Sequence, residues 1–310
     1  MNKGEKIFVA GHRGMVGSAL VRCLEARGYG NLVVRTRDEL DLMRQGDVEK
    51  FIVEERPDYI FLAAARVGGI HANNTFRADF IYENLIIEAN IVHAAWKSGV
   101  NRLLFLGSSC IYPRDCAQPI KEEYLLTGPL EQTNEPYALA KIAGLKLCES
   151  YNRQYGTNYV SVMPTNLYGP NDNYNLLESH VLPALIRKAH EAKIRGDRQL
   201  TVWGTGTPRR EFLYVEDMAE ACVFLMEQEV TDGVFNVGTG CDVTIGELAE
   251  TVIRVVGFEG SITFDTSRPD GTPQKLLDVG KMRDLGWVAK TGLFEGITRA
   301  YEDFLKSHHS

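Results

Sequence analysis

The sequence lacks the features of several large protein classes. No uninterrupted apolar run approaches the roughly 18 residues of a membrane span, and residues 1–6 lead into an apolar segment instead of a secretion signal. The 310 residues include 11 prolines and 29 glycines, too few for a low-complexity or fibrous chain. A basic excess is also missing, because 34 Lys and Arg stand against 41 Asp and Glu. We therefore expect a cytoplasmic globular protein that binds neither nucleic acid nor membrane.

Cysteine is scarce and shows no pattern of pairs. The six cysteines, at positions 23, 110, 116, 148, 222 and 241, include no C-x-x-C spacing, and most lie inside apolar stretches. This distribution is typical of buried free thiols and predicts neither a metal site nor a disulfide framework. Cys110 differs in its context, because it comes after a predicted strand among small polar residues.

The first half of the chain alternates short apolar runs with longer amphipathic stretches. The periodicity predicts strands at 6–10, 32–34, 59–63, 103–106 and 159–163. It predicts helices at 15–27, 46–55, 75–97 and 137–155. Strands that alternate with helices indicate a doubly wound parallel α/β sheet of the Rossmann type.

After Pro170 the pattern loosens. We expect a polar loop over 171–178 and a helix over 179–192 with Ser179 as its N-cap. Further strands are predicted at 200–203, 212–215, 234–237 and 262–264, and further helices at 216–227, 244–256 and 293–305. The sequence thus predicts a first domain over 1–170, to which 212–238 returns, and a smaller interleaved α/β lobe formed by 171–211 and 239–310.

Three glycines come after the first predicted strand at three-residue spacing: Gly11, Gly14 and Gly17. At the start of a helix, such glycines let a pyrophosphate approach backbone N–H groups and the positive end of the helix dipole. Glycines also serve tight turns, but the position between first strand and first helix favours dinucleotide binding.

The end of the second predicted strand bears on the choice of dinucleotide. It reads Val34-Arg35-Thr36-Arg37, and arginines suit a ribose 2′-phosphate through paired N–H donors. Asp38 could instead accept hydrogen bonds from a free 2′-hydroxyl, and the arginines could be ordinary surface residues. We predict NADP(H).

Tyr137 and Lys141 lie four residues apart, on one face of a predicted helix. A nearby ammonium is expected to lower the pKa of the Tyr137 phenol toward working pH, which would make it a usable acid or base. Ser108 comes after the fourth predicted strand, at the sheet edge where such folds bind ligands. Its hydroxyl could share a substrate oxygen with Tyr137.

These motifs, together with 164–170 and 210–217, resemble the extended short-chain dehydrogenase/reductases that act on nucleotide sugars. The resemblance extends essentially from end to end. It is strongest to members that use NADPH to epimerise GDP-4-keto-6-deoxy-D-mannose at C3 and C5 and to reduce it at C4. The resemblance implies that this chain acts on the same substrate with the same cofactor. It also implies that the second lobe binds the nucleotide sugar and that the protein is a homodimer.

The resemblance also implies catalytic roles. A C4 ketone held by Ser108 and Tyr137 acidifies the C–H bonds at C3 and C5, and Cys110 and His180 would form the acid–base pair for epimerisation. Tyr137 would donate the proton in the reduction, and Lys141 would also bind the nicotinamide ribose. From the sequence alone, Cys110 could equally be a packing residue, and the bland alternative for His180 is a solvent-exposed side chain at the start of a helix.

The binding residues that the resemblance implies form two sets. Those for the cofactor are Gly11, His12, Arg13, Gly14, Met15, Val16, Gly17, Arg37, Asp41, Leu42, Leu106, Gly107, Ser108, Ser109, Lys141, Pro164, Thr165, Asn166, Leu167 and His180. Those for the nucleotide of the substrate are Lys188, Trp203, Arg210 and Asp270. Lys188 stands where the family often has arginine, which puts bidentate contacts there in doubt. Without the resemblance, Trp203 could be core and Arg210 a surface ion pair.

Two other functions compete with this one. A nucleotide-sugar 4,6-dehydratase or 4-epimerase would return its hydride to the substrate, but dehydratases carry a Thr-Asp-Glu series where this chain has Ser109-Cys110-Ile111. A non-catalytic NADP-binding sensor would usually lack part of the Ser, Tyr and Lys set, all of which is present here.

Overall fold

A six-stranded parallel sheet forms the centre of the computed structural model, which describes residues 1–176, 178–228, 230, 233–268 and 270–308. Its strands are β1 (Ile7–Ala10), β2 (Leu32–Val33), β3 (Tyr59–Leu62), β4 (Arg102–Leu106), β5 (Asn158–Pro164) and, after three intervening strands, β9 (Gly233–Val237). They lie side by side in the order β2-β1-β3-β4-β5-β9, all parallel. The predicted doubly wound sheet is confirmed. The order in which strands are added to the sheet reverses between β1 and β3, because β2 lies on one side of β1 and β3 on the other. Parallel sheets bind ligands at such switch points.

Helices cover both faces of this sheet. The first seven helices in the order of the chain are α1 (Met15–Ala26), α2 (Gln45–Glu55), α3 (Ile70–Thr75), α4 (Arg77–Lys97), α5 (Glu135–Tyr155), α6 (Val181–Arg195) and α7 (Val215–Glu227). All of them except α3 and α6 contribute buried side chains to the two cores of this sheet. Alternate strand residues enter different cores: Phe8 and Phe105 pack with α4 and α5, whereas Phe61 and Leu104 pack with α1 and α7. Strands buried on both faces explain the apolar runs without polar alternation.

Most of the remaining elements form a smaller α/β region around a third apolar cluster. The remaining elements are β6 (Asn166–Tyr168), β7 (Gln199–Trp203), β8 (Arg209–Tyr214), β10 (Asp242–Thr244), α8 (Ile245–Val256), β11 (Ser261–Asp265), β12 (Gln274–Lys275), α9 (Gly280–Asp284) and α10 (Leu293–His308). Of these, α9 instead packs against β9, with Met282 in the core of the main sheet. Strand β8 pairs with β6, β10 and β12, and β7 pairs with β11. Within the predicted returning segment 212–238, α7 and β9 rejoin the main sheet whereas β8 stays outside it.

The helix expected over 75–97 is confirmed as α4, which begins two residues later, at Arg77. The short helix α3 before it was not predicted, and it is separated from α4 by Phe76, which leaves helical geometry. One predicted helix start is wrong. The helix expected from Ser179 begins at Val181, with His180 at the N-cap position. The reason is a tie to another loop: the Glu178 carbonyl accepts a hydrogen bond from the Gly69 N–H at 2.7 Å, which holds 178–179 outside the helix.

A membrane-spanning helix and a metal site are two features that the sequence is expected to lack. None of the helices there combines the length and apolar character needed to cross a membrane. Among the same residues, no group of three or more His, Cys, Asp or Glu is arranged to hold a metal ion. The six cysteines are free, and Cys110, Cys148 and Cys222 are buried.

Candidate active site

The loop from β1 to α1 has the close backbone approach that the glycine spacing predicts. Gly11 has φ of +85°, and a Cβ atom on Gly17 would lie 2.0 Å from the Gly11 carbonyl oxygen. Glycine is therefore required at both positions, and the helix start stays open to an incoming group. The His12 Nδ1 atom is buried and has no hydrogen-bond partner among the described residues. The open helix start and this unsatisfied polar atom fit a dinucleotide pyrophosphate.

The two arginines after β2 have different surroundings. Arg35 donates to the Val34 carbonyl at 2.8 Å and pairs with Glu55, with Nη2 2.5 Å from Oε1. Arg37 is exposed, and it makes no hydrogen bond or ion pair with the part of the chain that the structure describes. Only Arg37 of this pair is thus available for a phosphate. Asp38, the alternative ribose ligand, is also exposed.

The neighbouring cofactor candidates help to shape the loop after β2. The Asp41 Oδ1 atom accepts a hydrogen bond from the Met43 N–H at 3.1 Å, and the Leu42 carbonyl accepts one from Asn90 at 2.9 Å. Leu42 also packs against the core beneath the sheet. The Asn90 contact fastens the loop to α4.

Lys141 of α5 lies deep in the molecule and is 2% exposed. Its Nζ donates to the Leu106 carbonyl at 2.9 Å and lies 3.0 Å from Oε1 of Glu88, a residue of α4. The ammonium is 5.8 Å from the centre of the Tyr137 ring. Helix α5 therefore brings the lysine and the tyrosine together as the spacing predicts, and α4 adds a buried counter-charge to the lysine.

The expected effect of Lys141 on Tyr137 is wrong. Burial raises the pKa of the Tyr137 phenol well above its ordinary value, and the charges of Cys110 and Glu88 raise it further, while the Ser108 hydroxyl opposes them. The Glu88 carboxylate next to Lys141 offsets the positive charge that was expected to favour the Tyr137 phenolate. Tyr137 is thus a neutral phenol at neutral pH, suited to donating a proton.

Ser108 and Cys110 lie on one short turn after β4. The Ser108 Oγ accepts a hydrogen bond from the Cys110 N–H at 3.3 Å and starts the 3-10 turn Ser109–Ile111. Burial raises the pKa of the Cys110 thiol, while the charge of Lys275 and the Ser108 hydroxyl lower it. Ser108 also interacts with the Tyr137 phenol. The structure therefore brings Ser108, Cys110, Tyr137 and Lys141 into one cluster.

His180 is the N-cap residue of α6 and is exposed. Desolvation by nearby protein atoms, and after it the charge of Lys275, lower the pKa of its imidazole. The same ammonium influences Cys110. His180 and Cys110 thus both lie within the field of Lys275, whose own pKa burial lowers.

A second cluster forms where α6 approaches β7. Trp203 is 55% exposed, with Lys188 Nζ 4.5 Å and the Arg268 guanidinium carbon 4.9 Å from its ring centre. The core alternative for Trp203 is therefore wrong. Arg210 forms no ion pair within 4 Å among the described residues and donates to the Arg209 carbonyl at 2.8 Å.

Asp270 contacts the same region. Its carboxylate accepts hydrogen bonds from the Thr205 backbone N–H at 2.7 Å and from the Thr205 hydroxyl at 2.8 Å. Its charge opposes the lowering of the Arg210 pKa that burial causes. Asp270 thus fixes the loop after β7 and faces the Arg210 guanidinium.

The segment after β5 is fixed by a single carbonyl. The Thr165 hydroxyl and the Asn166 amide both donate to the Glu211 carbonyl, at 3.1 Å and 2.8 Å. Pro164 ends β5 and Leu167 packs on the apolar core, so these residues connect the main sheet to β8.

Sequence reasoning missed two charged residues, Glu88 and Lys275. Asn84 and Glu88 lie four residues apart on the face of α4 that carries Phe80 and Ile91, a signal that could have indicated a buried polar contact. Lys275 lies on a two-residue strand and carried no such signal; its pairing with Arg210 appears only in the sheet register.

Comparison with known proteins identifies the family of this chain. A family model described as the NAD dependent epimerase/dehydratase family matches residues 7–238. The chain belongs to the NAD dependent epimerase/dehydratase family. The match covers the main sheet and all four residues of the Ser108 cluster.

Relatives within the epimerase/dehydratase family extend over the whole chain. "GDP-L-fucose synthase 1" of Arabidopsis thaliana is 57% identical, with 99% of this chain and 95% of that protein covered. "GDP-L-fucose synthase" of Escherichia coli K12 is 57% identical, with 98% and 97% covered. A solved GDP-L-fucose synthetase from Naegleria fowleri bound to NADP is 30% identical with a TM-score of 0.93, over 100% of this chain and 95% of that one.

Proposed function

We propose that this protein is an NADPH-dependent 3,5-epimerase and 4-reductase that converts GDP-4-keto-6-deoxy-D-mannose to GDP-L-fucose. The proposal rests on end-to-end similarity to GDP-L-fucose synthases of plants and bacteria. The structural observation that carries it is the shared turn of Ser108 and Cys110 beside Tyr137. Hydride transfer alone does not need a thiol there, whereas epimerisation needs additional acid–base groups.

The cofactor assignment rests on the glycine loop and Arg37. The open start of α1 would receive the pyrophosphate and Arg37 the 2′-phosphate, with Lys141 at the nicotinamide ribose. The solved relative from Naegleria fowleri is described as bound to NADP. Bound NADPH would supply the hydride that reduces C4.

The chain's own residues would handle the protons. Ser108 and Tyr137 would hold the C4 carbonyl oxygen, so that negative charge developing there during loss of a proton from C3 or C5 is stabilised. Cys110 and His180 would remove a proton at each of these carbons and return one on the opposite face. Tyr137, kept neutral by burial, would then donate its proton to the C4 oxygen.

The substrate nucleotide would lie against the second region. We assign 1–170 and the returning part of 212–238 to the cofactor domain, and 171–211 and 239–310 to a nucleotide-sugar lobe. The exposed Trp203 ring offers a stacking face. Lys188, Arg210 and Asp270 would surround it, with the two cations near the diphosphate.

We also propose a homodimer in the cytoplasm. Helices α4 and α5 pack against each other and carry an exposed aromatic group: the Trp96 and Tyr155 rings stack with centres 4.2 Å apart, and Tyr155 is 44% exposed. A second copy packed across these two helices would cover the group through a two-fold axis.

The decisive experiment is NADPH consumption with a panel of nucleotide-sugar ketones. Stoichiometric oxidation of NADPH with GDP-4-keto-6-deoxy-D-mannose, and GDP-L-fucose as the product, is the expected result. Turnover of a nucleotide sugar with no net oxidation would instead favour a 4,6-dehydratase or a 4-epimerase. Binding of NADP without any turnover would favour a sensor.

A further inference from the structure

The carboxylate of Glu88 is buried beneath the catalytic cluster and outside the roles assigned above. It is 1% exposed and belongs to α4, the helix that packs along α5. Its Oε1 atom lies 3.0 Å from the Lys141 ammonium, and both side chains are buried. Burying two charges is costly, and the cost is offset only by a close and well-supported contact.

The fold makes room for this carboxylate at a specific point. A Cβ atom on Gly144 would lie 2.5 Å from Oε2 of Glu88 and 2.5 Å from the Phe105 ring. Gly144 comes three residues after Lys141, on the same face of α5. The missing side chain thus opens a space through which Glu88 reaches Lys141 from the neighbouring helix.

Lys141 is held from two directions. Its Nζ donates to the Leu106 carbonyl at 2.9 Å, and Glu88 lies on its other side. Leu106 ends β4, two residues before Ser108. The contact with Glu88 therefore fixes the ammonium at the strand end from which the Ser108 and Cys110 turn begins.

The charges around Glu88 can be traced on each packed element. Among the described residues, Glu88 interacts electrostatically with Lys141, Tyr137 and Cys148, all of α5. The Phe105 ring of β4 is the apolar neighbour, with Lys141 Nζ 4.9 Å from its centre. Burial raises the pKa of Glu88, and the Lys141 ammonium opposes that rise.

We propose that Glu88 is a positioning residue, whose carboxylate holds the Lys141 ammonium at the Leu106 carbonyl and offsets its charge so that Tyr137 stays a proton-donating phenol. The inference rests on the proposed function for its catalytic meaning, since a donor is what a ketone reduction requires at this position. Its physical content, the coupling of Glu88 to Tyr137 through Lys141, needs no substrate.

The test is the titration of Tyr137 in the whole protein labelled with 3-fluorotyrosine, monitored by ¹⁹F NMR, with the signal assigned from Tyr137→Phe. In Glu88→Gln the amide keeps the shape but not the charge. The Tyr137 midpoint is expected to fall by about 1 pH unit or more, because an anion near the phenol is gone. The pH at which reductive turnover declines on the basic side of its pH profile is expected to shift downward together with this midpoint.

Two comparison variants sharpen the test. Glu149→Gln makes the same chemical change at a partly exposed glutamate of α5 that pairs with Lys146 at 2.8 Å, and it should leave the Tyr137 midpoint where it is. Glu88→Asp keeps the charge but withdraws it by one methylene, and a smaller fall is expected. Glu88→Asp also decides the question if Glu88→Gln does not fold.

The outcomes separate the two proposals. A fall in the Tyr137 midpoint or in the basic limb, seen at Glu88 and not at Glu149, supports the positioning role. If neither moves and turnover drops equally at every pH, Glu88 is merely structural and the inference is overturned. Failure of the wild-type protein to oxidise NADPH would overturn the proposed function, while the NMR titration would still report on Glu88.

Discussion

The backbone N–H of Cys110 donates a hydrogen bond to the Oγ atom of Ser108, with 3.3 Å between the two atoms. The thiol proposed for epimerisation and the hydroxyl proposed to hold the ketone are therefore fixed in one turn. Their separation does not depend on how the two regions of the chain close around a substrate. Substitutions in this turn and in the residues facing it should accordingly separate the two half-reactions.

Tyr137→Phe should abolish the reduction while leaving the cofactor site intact. The phenol is the proposed proton donor, and loss of such a group typically costs about 10²- to 10⁴-fold in rate. NADPH consumption measures the loss, and calorimetric titration with NADP checks that binding persists. Tyr155→Phe, at an exposed ring, should retain the wild-type rate. An unaffected rate in Tyr137→Phe would remove this residue from the mechanism.

Cys110→Ser should impair epimerisation more than reduction. The serine hydroxyl is a far weaker acid than a thiol, even one whose pKa burial has raised. Solvent deuterium incorporation at C3 and C5 is expected to fall about 100-fold or more, while an already epimerised ketone is still reduced. Cys241→Ser changes an exposed thiol and serves as the control. Equal loss of exchange and reduction would indicate a structural role for Cys110.

Arg37→Ala should reduce the preference for NADPH. Because hydrogen bonds to a charged group contribute about 1.5–3 kcal/mol, KM for NADPH is expected to rise about 10- to 100-fold. KM for NADH should hardly change, since NADH has no 2′-phosphate. Arg35→Ala is the matched comparison, as Arg35 is already paired with Glu55. Equal increases for both cofactors would place the 2′-phosphate elsewhere.

Trp203→Ala should weaken binding of the nucleotide sugar without slowing its conversion. Stacking of a base on an aromatic ring contributes about 1–3 kcal/mol, so KM should rise about tenfold with kcat nearly unchanged. Trp203→Phe keeps a ring beneath the Lys188 ammonium and should recover part of the loss. Initial rates at varied substrate concentration give both parameters, and a fall in kcat alone would contradict the assignment.

Asp172→Asn should stabilise the protein increasingly as pH rises. The Oδ2 atom is buried without a hydrogen-bond partner in the described structure, and burial raises the pKa of Asp172 from 3.8 to about 7. The folded state therefore keeps a proton that the unfolded chain has already released. Between these two values the free energy of unfolding of the wild type falls as pH rises. The asparagine cannot lose a proton, so it escapes this penalty.

Denaturant titration at about pH 4 and about pH 8 would measure the difference, which should reach about 1 kcal/mol or more at the higher pH. Asp197→Asn, at a carboxylate already paired with Arg195 on the surface, should show no such trend. Parallel pH profiles for Asp172→Asn and the wild type would show that Asp172 stays ionised in the folded protein.

The sequence was sufficient to predict the sheet and to place the turn of Ser108 and Cys110 at its edge. Unbroken apolar runs such as 60–63 and 103–106 are typical of strands buried on both faces. Because the strands are parallel, the loops at their carboxyl ends lie at one edge of the sheet. That reasoning placed Gly11, Ser108 and Tyr137 correctly relative to the sheet.

The electrostatics of the site could not be obtained in the same way. The pKa of Tyr137 depends first on burial and then on charges that include Glu88, which lies 49 positions earlier on another helix. Glu88 reaches Lys141 beneath Tyr137 because Gly144 leaves space for its carboxylate. Likewise, Ser179 has a typical N-cap sequence but is displaced by the Gly69 hydrogen bond to Glu178. Such long-range ties leave no periodic signal.

Three of the five consecutive residues from 106, the last residue of β4, to 110 make contacts that build the site. The Leu106 carbonyl receives the Lys141 ammonium, Ser108 starts the turn, and Cys110 completes it. A one-residue insertion between Leu106 and Cys110 would therefore shift hydroxyl and thiol out of phase with the lysine in a single step. Any graft of this turn onto a related sheet must therefore carry residues 106–110 as one unit of fixed length.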